Sequence, residues 1–516
     1  MIGGLAYQPT EHSELLNLSR QQIWPEAPGS PPHIERTPNM FASAANVVAA
    51  ACPNSFDYSV FGPREHIENL HPQNRRVTGG LRNGVVSFAQ RVRGRDKPWD
   101  EWTVPAGRDA IIEAERLLAQ NNRTDIYVSQ AAFGRWRSIA QITAIGACFA
   151  DLDYYDVPRW QGYKPADVCA AVVSYLDSAM VPHPSYILST GCGLVCIWLT
   201  ELLPRAVLPR WNAVQKRLKE VLQPFGADKR ALDAARVFRL SGTENSEAER
   251  DRRTVAMVWC QGSPEAPTRH TFGTLADEVL PFTQAELISL RAERAKRKAD
   301  GSDRIAPVMR HSAASYWEGV LTDLQKIRAH RCPEGALREG QRDAWLFVAG
   351  VAISWISPPE VLGREIISLA DEAAGWRDSE TRSRMSAIIK RAQQAAAGQT
   401  ITFGNQEVDC RYRMKASTIV EWLGIDPAEQ RAAGLRVLVD QDRKRELNTE
   451  RTRESRRRRG ANDRVAQQEE RLSIGGMALY LQATQGLKRD ELAEHFGVST
   501  GLISKAMREA RPGMPA

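Results

Sequence analysis

Paired cysteines and paired histidines are the first thing this chain lacks. Its eight cysteines are scattered with no C-x-x-C pair, which argues against both a zinc ribbon and a disulfide framework. Cys192 and Cys196 lie closest together, and buried free thiols are their expected state. None of the nine histidines forms an H-x-H pair. A strand-nicking tyrosine would need such a pair beside it, so the adjacent Tyr154 and Tyr155 do not make that chemistry. No G-x-x-x-x-G-K-[ST] run occurs, which removes a P-loop motor. Long apolar runs are missing too. The longest, Ala344 to Ile356, is too short to span a bilayer and predicts a buried core helix. Met1 to Ile23 lacks a charged start followed by an apolar core, so no secretory signal is read. A reducing, cytoplasmic setting without a membrane partner is the expectation.

What is present is length and a basic bias. At 516 residues the chain has room for about three or four domains with sizeable cores. A formal net charge of +7 and a pI near 9.0 favour a polyanionic partner without specifying it.

Three short signatures between Phe149 and Asn245 carry the chemistry. The first is a small, apolar run from Ala144 to Ala150 that closes on Asp151-Leu152-Asp153. Alternate side chains of a strand share a face, so the two aspartates project together while Leu152 turns into the core. Close carboxylates repel and raise each other's pKa unless a cation neutralises them. Hard oxygen ligands of this kind suit Mg²⁺ or Mn²⁺. The second signature, Ser185 to Trp198, is two β-like runs around Ser189-Thr190-Gly191-Cys192-Gly193. The third is Gly226-Ala227-Asp228, then Asp233, then Ala235-Arg236-Val237-Phe238-Arg239-Leu240-Ser241-Gly242-Thr243-Glu244-Asn245. Asp228 is the candidate third carboxylate. Lys229, Arg236 and Arg239 are candidate phosphate contacts, since guanidinium groups bind phosphate through paired hydrogen bonds. The alternative for Arg236 and Arg239 is ion pairing with Asp233 or Glu244.

In order and content these signatures resemble the archaeo-eukaryotic primase superfamily, in particular the primases and primase–polymerases of plasmids and phages. Members carry an acidic pair after a strand, an S-G-x-G-x-H-x-x-W hairpin, and a later Asp followed by an R-x-x-R-L-P-G-T-x-N-like run. The resemblance covers roughly residues 120 to 260, including the run Asp125 to Gln130 leading into the site. It implies an RRM-like sheet with helices and metal-dependent nucleotidyl transfer. Asp151, Asp153 and Asp228 would be metal ligands and catalytic. Ser189, Gly191, Gly193, Lys229, Arg236 and Arg239 would contact the nucleotide. Single-stranded DNA template and nucleoside triphosphates would be the substrates, with strand opening left to a separate helicase. Two positions depart from the pattern. Ser241 replaces the usual Pro, and Val195 stands where many members carry a His that contacts the incoming phosphates. That second departure keeps another class of function in play, a non-catalytic replication initiator that retains the fold.

Along the chain the reading is multidomain α+β. Residues 1–105 form an N-terminal accessory region, opened by Pro25, Pro28, Pro31, Pro32 and Pro38 and marked by a turn at Gly79 to Gly84. Residues 106–265 alternate helix and strand as the catalytic domain. Residues 266–310 form a charged linker containing Arg291 to Lys298. Residues 311–437 are helical, similar at Gly335 to Phe347 to the helical module that follows such catalytic domains. Residues 438–475 are a basic helix or linker with an Arg456-Arg457-Arg458-Arg459 block able to neutralise phosphates.

Residues 476–516 read as a helix-turn-helix. Leu487 to Phe496 is one helix, Gly497-Val498-Ser499 the turn with Ser499 as N-cap, and Thr500 to Arg508 the second helix. In a duplex-DNA-binding unit Thr500, Gly501, Ser504 and Lys505 would face the major groove, with Arg508 among the phosphate contacts and Arg456 and Arg457 adding to them.

Overall fold

A computed structural model describes residues 57–72, 84–92, 99–120, 123–282, 312–333, 335–403, 406–458 and 464–511, with 286 and 289. The prolines before residue 57, Gly79 to Asn83, the Arg291 to Lys298 run and Arg459 lie outside them. The chain divides into two bodies, Met1–Leu423 and Gly424–Ala516.

The first body is built on a nine-stranded sheet: β1 (Val85–Arg91), β2 (Trp99–Pro105), β3 (Ile126–Ser129), β4 (Ala131–Phe133), β5 (Ile142–Leu152), β6 (Tyr186–Ser189), β7 (Leu194–Leu203), β8 (Val237–Arg239) and β9 (Ala256–Cys260). Its strand ladders are antiparallel. Because β2 occupies one side of β1 throughout, β3 and β4 must share the other, as two halves of one strand interrupted at Gln130. That strand then forks. Its first half pairs with β8 and its second half with β5.

Past the fork the outer edge of β5 has no strand beside it, and its backbone groups need other partners. Helix α4 (Leu208–Val221), following α1 (Pro63–Leu70), α2 (Arg108–Leu118) and α3 (Pro165–Ser178), supplies them. The Trp211 indole N–H donates to Ala147 O at 2.9 Å, and the Gln215 Oε1 accepts from Phe149 N at 2.9 Å. Phe149 then bridges the fork, edge-to-face with Trp211 and with Phe238 of β8 at 5.5 and 5.1 Å. Each such pair is worth about 0.5–1.5 kcal/mol beyond its buried area.

The expected boundary at 105/106 does not hold, since β1 and β2 are integral strands of the sheet. The expected linker is also partly folded. α5 (Phe272–Val279) buries Phe272, Leu275, Ala276 and Val279, and its Asp277 pairs with Arg210 of α4.

Helices α6 (Ala313–Arg331), α7 (Arg342–Ile356), α8 (Pro359–Ala374) and α9 (Asp378–Ala396) form a bundle, followed by the hairpin β10 (Thr400–Phe403) and β11 (Gln406–Asp409) and by α10 (Ala416–Trp422). α7 carries the apolar run of the sequence, and from Trp345 onward it is buried apart from the half-buried Phe347, as expected of a central helix. Buried polar contacts join the bundle to the sheet. Arg205, after β7, donates to Ala140 O at 2.6 Å and to Thr322 Oγ1 of α6 at 2.7 Å, and Glu365 of α8 accepts from Ile139 N at 2.6 Å.

The second body contains α11 (Pro427–Ala432), α12 (Gln441–Arg458), α13 (Arg464–Gln485), α14 (Arg489–Phe496) and α15 (Thr500–Glu509). The boundary expected at 475/476 falls inside α13. A Cβ on Gly475 would lie 2.1 Å from Ala506 O, so this glycine is where α13 and α15 cross at close range. Ala478 and Leu481 of α13 share one core with Leu492, Ala493, Ile503 and Met507. The expected two-helix unit is therefore completed by a third helix. Among the described residues no helix is long and apolar enough to cross a membrane.

Candidate active site

Asp151 stands near the end of β5 and Asp153 immediately beyond it. Here the outer edge of β5 is completed by residues 226–228. The Asp228 N–H donates to Asp151 O at 2.8 Å, and the Asp153 N–H donates to Gly226 O at 3.0 Å. Two backbone hydrogen bonds thus bring all three aspartates to one place. Gly226 makes this possible: its φ is +75°, and a Cβ there would lie only 2.6 Å from Asp153 O. The Arg236 guanidinium sits between two of the carboxylates, 3.8 Å from Asp151 Oδ2 and 3.7 Å from Asp228 Oδ2. Those distances are too long for hydrogen bonds and leave a charge contact only. The buried Nε of Arg236 has no hydrogen-bond partner. Asp153 accepts from the Tyr155 hydroxyl at 3.2 Å.

The electrostatics follow from this crowding. Burial, then the charges of Asp153 and Asp228, push the Asp151 carboxyl up to about 7, with Arg236 opposing. Asp153 is raised as well, by burial and by Asp228. Arg236 and the more distant Arg239, itself paired with Asp125, do not compensate three acids. The donor set is hard oxygen around excess negative charge, which fits a divalent cation of the Mg²⁺ type. Among the described residues no group of three acidic, His or Cys side chains is already closed at metal-ligand geometry.

The hairpin stands directly opposite. Asp151 faces Val195 across β5 and β7, and Val195 is 1% exposed at the wall of the cleft. The turn between β6 and β7 is closed by Thr190 N–H to Gly193 O at 2.9 Å and held by the Asn245 amide donating to Thr190 O at 2.7 Å. Both glycines are packing requirements. A Cβ on Gly191 would lie 2.8 Å from the Ala248 Cβ, and one on Gly193 2.6 Å from Leu152 O. Ser189 is buried. Of Ser189, Gly191 and Gly193, Gly193 alone lines the cleft.

That cleft has a volume of about 770 Å³ and is rich in arginine. Arg239 lies 3.3 Å from Asp125 and over the Tyr127 ring at 5.0 Å. Asp125 adopts φ 52°, a left-handed conformation uncommon outside glycine, and also accepts from the Ser246 hydroxyl and backbone N–H. Arg236 and Arg239 therefore do not pair with Asp233 or Glu244, which are beside Arg364 and Arg123 instead. Lys229 is exposed and is not part of the cleft wall.

Sequence reasoning missed Arg137 and Arg364. Arg137 bonds Glu101 at 2.8 Å, and Arg364 reaches the same cleft from α8 of the helical bundle. No local motif marks either, because each is delivered by long-range packing.

In the second body Thr500, Gly501, Lys505 and Arg508 are exposed on α15, and Ser504 is half-buried. The Ser499 hydroxyl caps the helix by accepting from Leu502 N at 3.3 Å. Arg456 and Arg457 fall in the last turn of α12, their side chains lying outside the described residues.

No protein-family model matches the chain. A curated replication protein of Clostridium perfringens is 27% identical over 187 residues, 36% of this chain and 41% of the relative. The chain thus spans less than half the length of that relative. Among solved structures, the AEP domain of the primase-polymerase of cyanophage S-2L is 22% identical, covering 38% of this chain and 90% of that one, with a TM-score of 0.27. The primase RepB′ is 14% identical, covering 61% and 95%, with a TM-score of 0.23. Over the 187 residues of the curated match, this chain is similar to a replication protein.

Proposed function

We propose that the chain is a DNA-replication nucleotidyltransferase, a primase or primase–polymerase of a plasmid, phage or integrative element. The observation that supports this most is the convergence of Asp151, Asp153 and Asp228 through the two backbone bonds to residues 226–228. These three would hold Mg²⁺ or Mn²⁺, which when bound neutralises phosphate charge and favours attack by a 3′ hydroxyl. Arg236, with its orphaned Nε, and Arg239, fixed by Asp125 and Tyr127, present N–H donors for phosphate oxygens. Catalysis by these groups is positioning and charge neutralisation, as phosphoryl chemistry requires. Single-stranded DNA and nucleoside triphosphates are the substrates, and a separate helicase opens the duplex. The second body binds duplex DNA, with Thr500, Ser504 and Lys505 at the bases and Arg508, Arg456 and Arg457 at phosphates.

The second reading, a non-catalytic initiator, is favoured by one observation, the apolar Val195 opposite Asp151. Primer synthesis on single-stranded DNA with labelled nucleotides and either cation separates the two. Synthesis that depends on Asp151 supports the enzyme, and its absence with retained origin binding supports the initiator.

A further inference from the structure

The cleft runs on from Asp151 and Asp153 across the sheet to the β1–β2 hairpin. In the register, Arg239 faces Tyr127, Tyr127 faces Ala89, and Arg91 faces Trp99. Residues directly opposite share a face, as do residues two apart on one strand. Arg239, Tyr127, Ala89, Arg91 and Trp99 therefore stand on the same face. The small Ala89 leaves the neighbouring rings unobstructed. Trp99 packs on Tyr127 at 4.9 Å and stays 44% exposed, while Arg239 covers Tyr127 from 5.0 Å. The fold does not use Trp99 as it uses Trp102 of the same strand, which stacks on the buried Phe88 at 6.2 Å.

Building on the enzyme reading above, we propose that Trp99 and Tyr127 form a stacking shelf for an unpaired base of the single-stranded DNA template, with Arg91 beside it for the backbone and Arg239 between the shelf and the nucleotide. An exposed aromatic flanked by guanidinium groups is the chemistry of sequence-tolerant single-strand binding. Arg91 is held by an ion pair to Glu247 with both side chains at least 40% exposed, a contact that a phosphate can displace because such pairs are worth little. Position decides between a template base and the incoming nucleotide. β5 runs parallel to β1, so Asp151 and Trp99 lie at the same end of the sheet. They are separated by at least three strand spacings, roughly 14 Å. A nucleotide with its α-phosphate at the carboxylates keeps its base short of that distance, whereas a template strand spans it.

The test uses the full chain, a labelled oligothymidine strand and a chelator, without nucleotides, so binding is read apart from nucleotidyl transfer. Trp99→Ala weakens binding about tenfold or more, in line with the loss of one stacked base, and Trp99→Phe restores most of it. A single abasic position scanned along the strand weakens the wild type at one site and costs Trp99→Ala nothing further there. Duplex of equal length is bound alike by all variants. The shelf is overturned if Trp99→Ala binds the single strand like wild type, if duplex binding falls equally, or if a separate nucleotide titration shows nucleotide affinity falling instead. Absence of nucleotidyl transfer alongside Trp99-dependent strand binding would overturn the enzyme reading and leave the shelf standing.

Discussion

The Asp228 backbone N–H donates to the Asp151 carbonyl at 2.8 Å, so two candidate metal ligands 77 residues apart in sequence are fixed by main chain rather than by side-chain chance. The turn that allows this depends on Gly226. Gly226→Ala forces a Cβ toward Asp153 O at positive φ. Denaturant unfolding is expected to show a loss of about 1–3 kcal/mol, with nucleotidyl transfer falling further than stability alone explains. Unchanged stability would mean the turn relaxes freely.

Val195 faces Asp151 at the cleft wall. Val195→His places an imidazole where many members of the family that the motifs resemble carry one, beside the proposed phosphate site. Nucleotide titration is expected to show tighter binding, by severalfold. Weaker binding would show that an apolar wall is what this site needs.

Acid sensitivity follows from two buried histidines. Burial lowers His66 from 6.5 to about 3 and His71 to about 4. His66 Nδ1 accepts from Ser241 N–H at 3.1 Å and its Nε2 has no partner, so the folded state holds it neutral. The unfolded chain takes up protons below pH 6.5 and the folded chain does not. Stability is therefore full above that pH and declines as pH falls toward 4, by on the order of 1 kcal/mol per unit for each histidine. His66→Gln is expected to flatten the slope of unfolding free energy against pH in that window.

On α15, Lys505 contacts Glu509 only at 4.0 Å, and Arg508 is exposed. Lys505→Ala and Arg508→Ala in the full chain are each expected to lower the slope of log affinity for duplex DNA against log salt by about 1. Wild-type slopes in both would move the duplex contact to α12 or to the first body.

The parts of the site carried by local sequence were legible. Alternation placed Asp151 and Asp153 on one face, and the small residues at Gly191, Gly193 and Gly226 marked the turns. What they did there was less so. Gly191 and Gly193 are needed for close packing against Ala248 and Leu152, which only the folded hairpin brings near. The β1–β2 hairpin escaped because its partners, Tyr127 and Phe133, lie well downstream. Arg364 escaped because it is delivered by a helix of another layer. In the tail the boundary was expected at 475/476, yet Gly475 is the crossing point of two helices.

The most direct measurement is metal-dependent primer synthesis and extension by Asp153→Ala beside wild type, with both proteins shown to unfold alike. Asp153 bonds Tyr155 and otherwise faces the cleft, so its removal takes away a proposed ligand without opening the core. The account predicts activity in the wild type with Mg²⁺ or Mn²⁺ and none above background in the variant. A folded Asp153→Ala protein as active as wild type would contradict it.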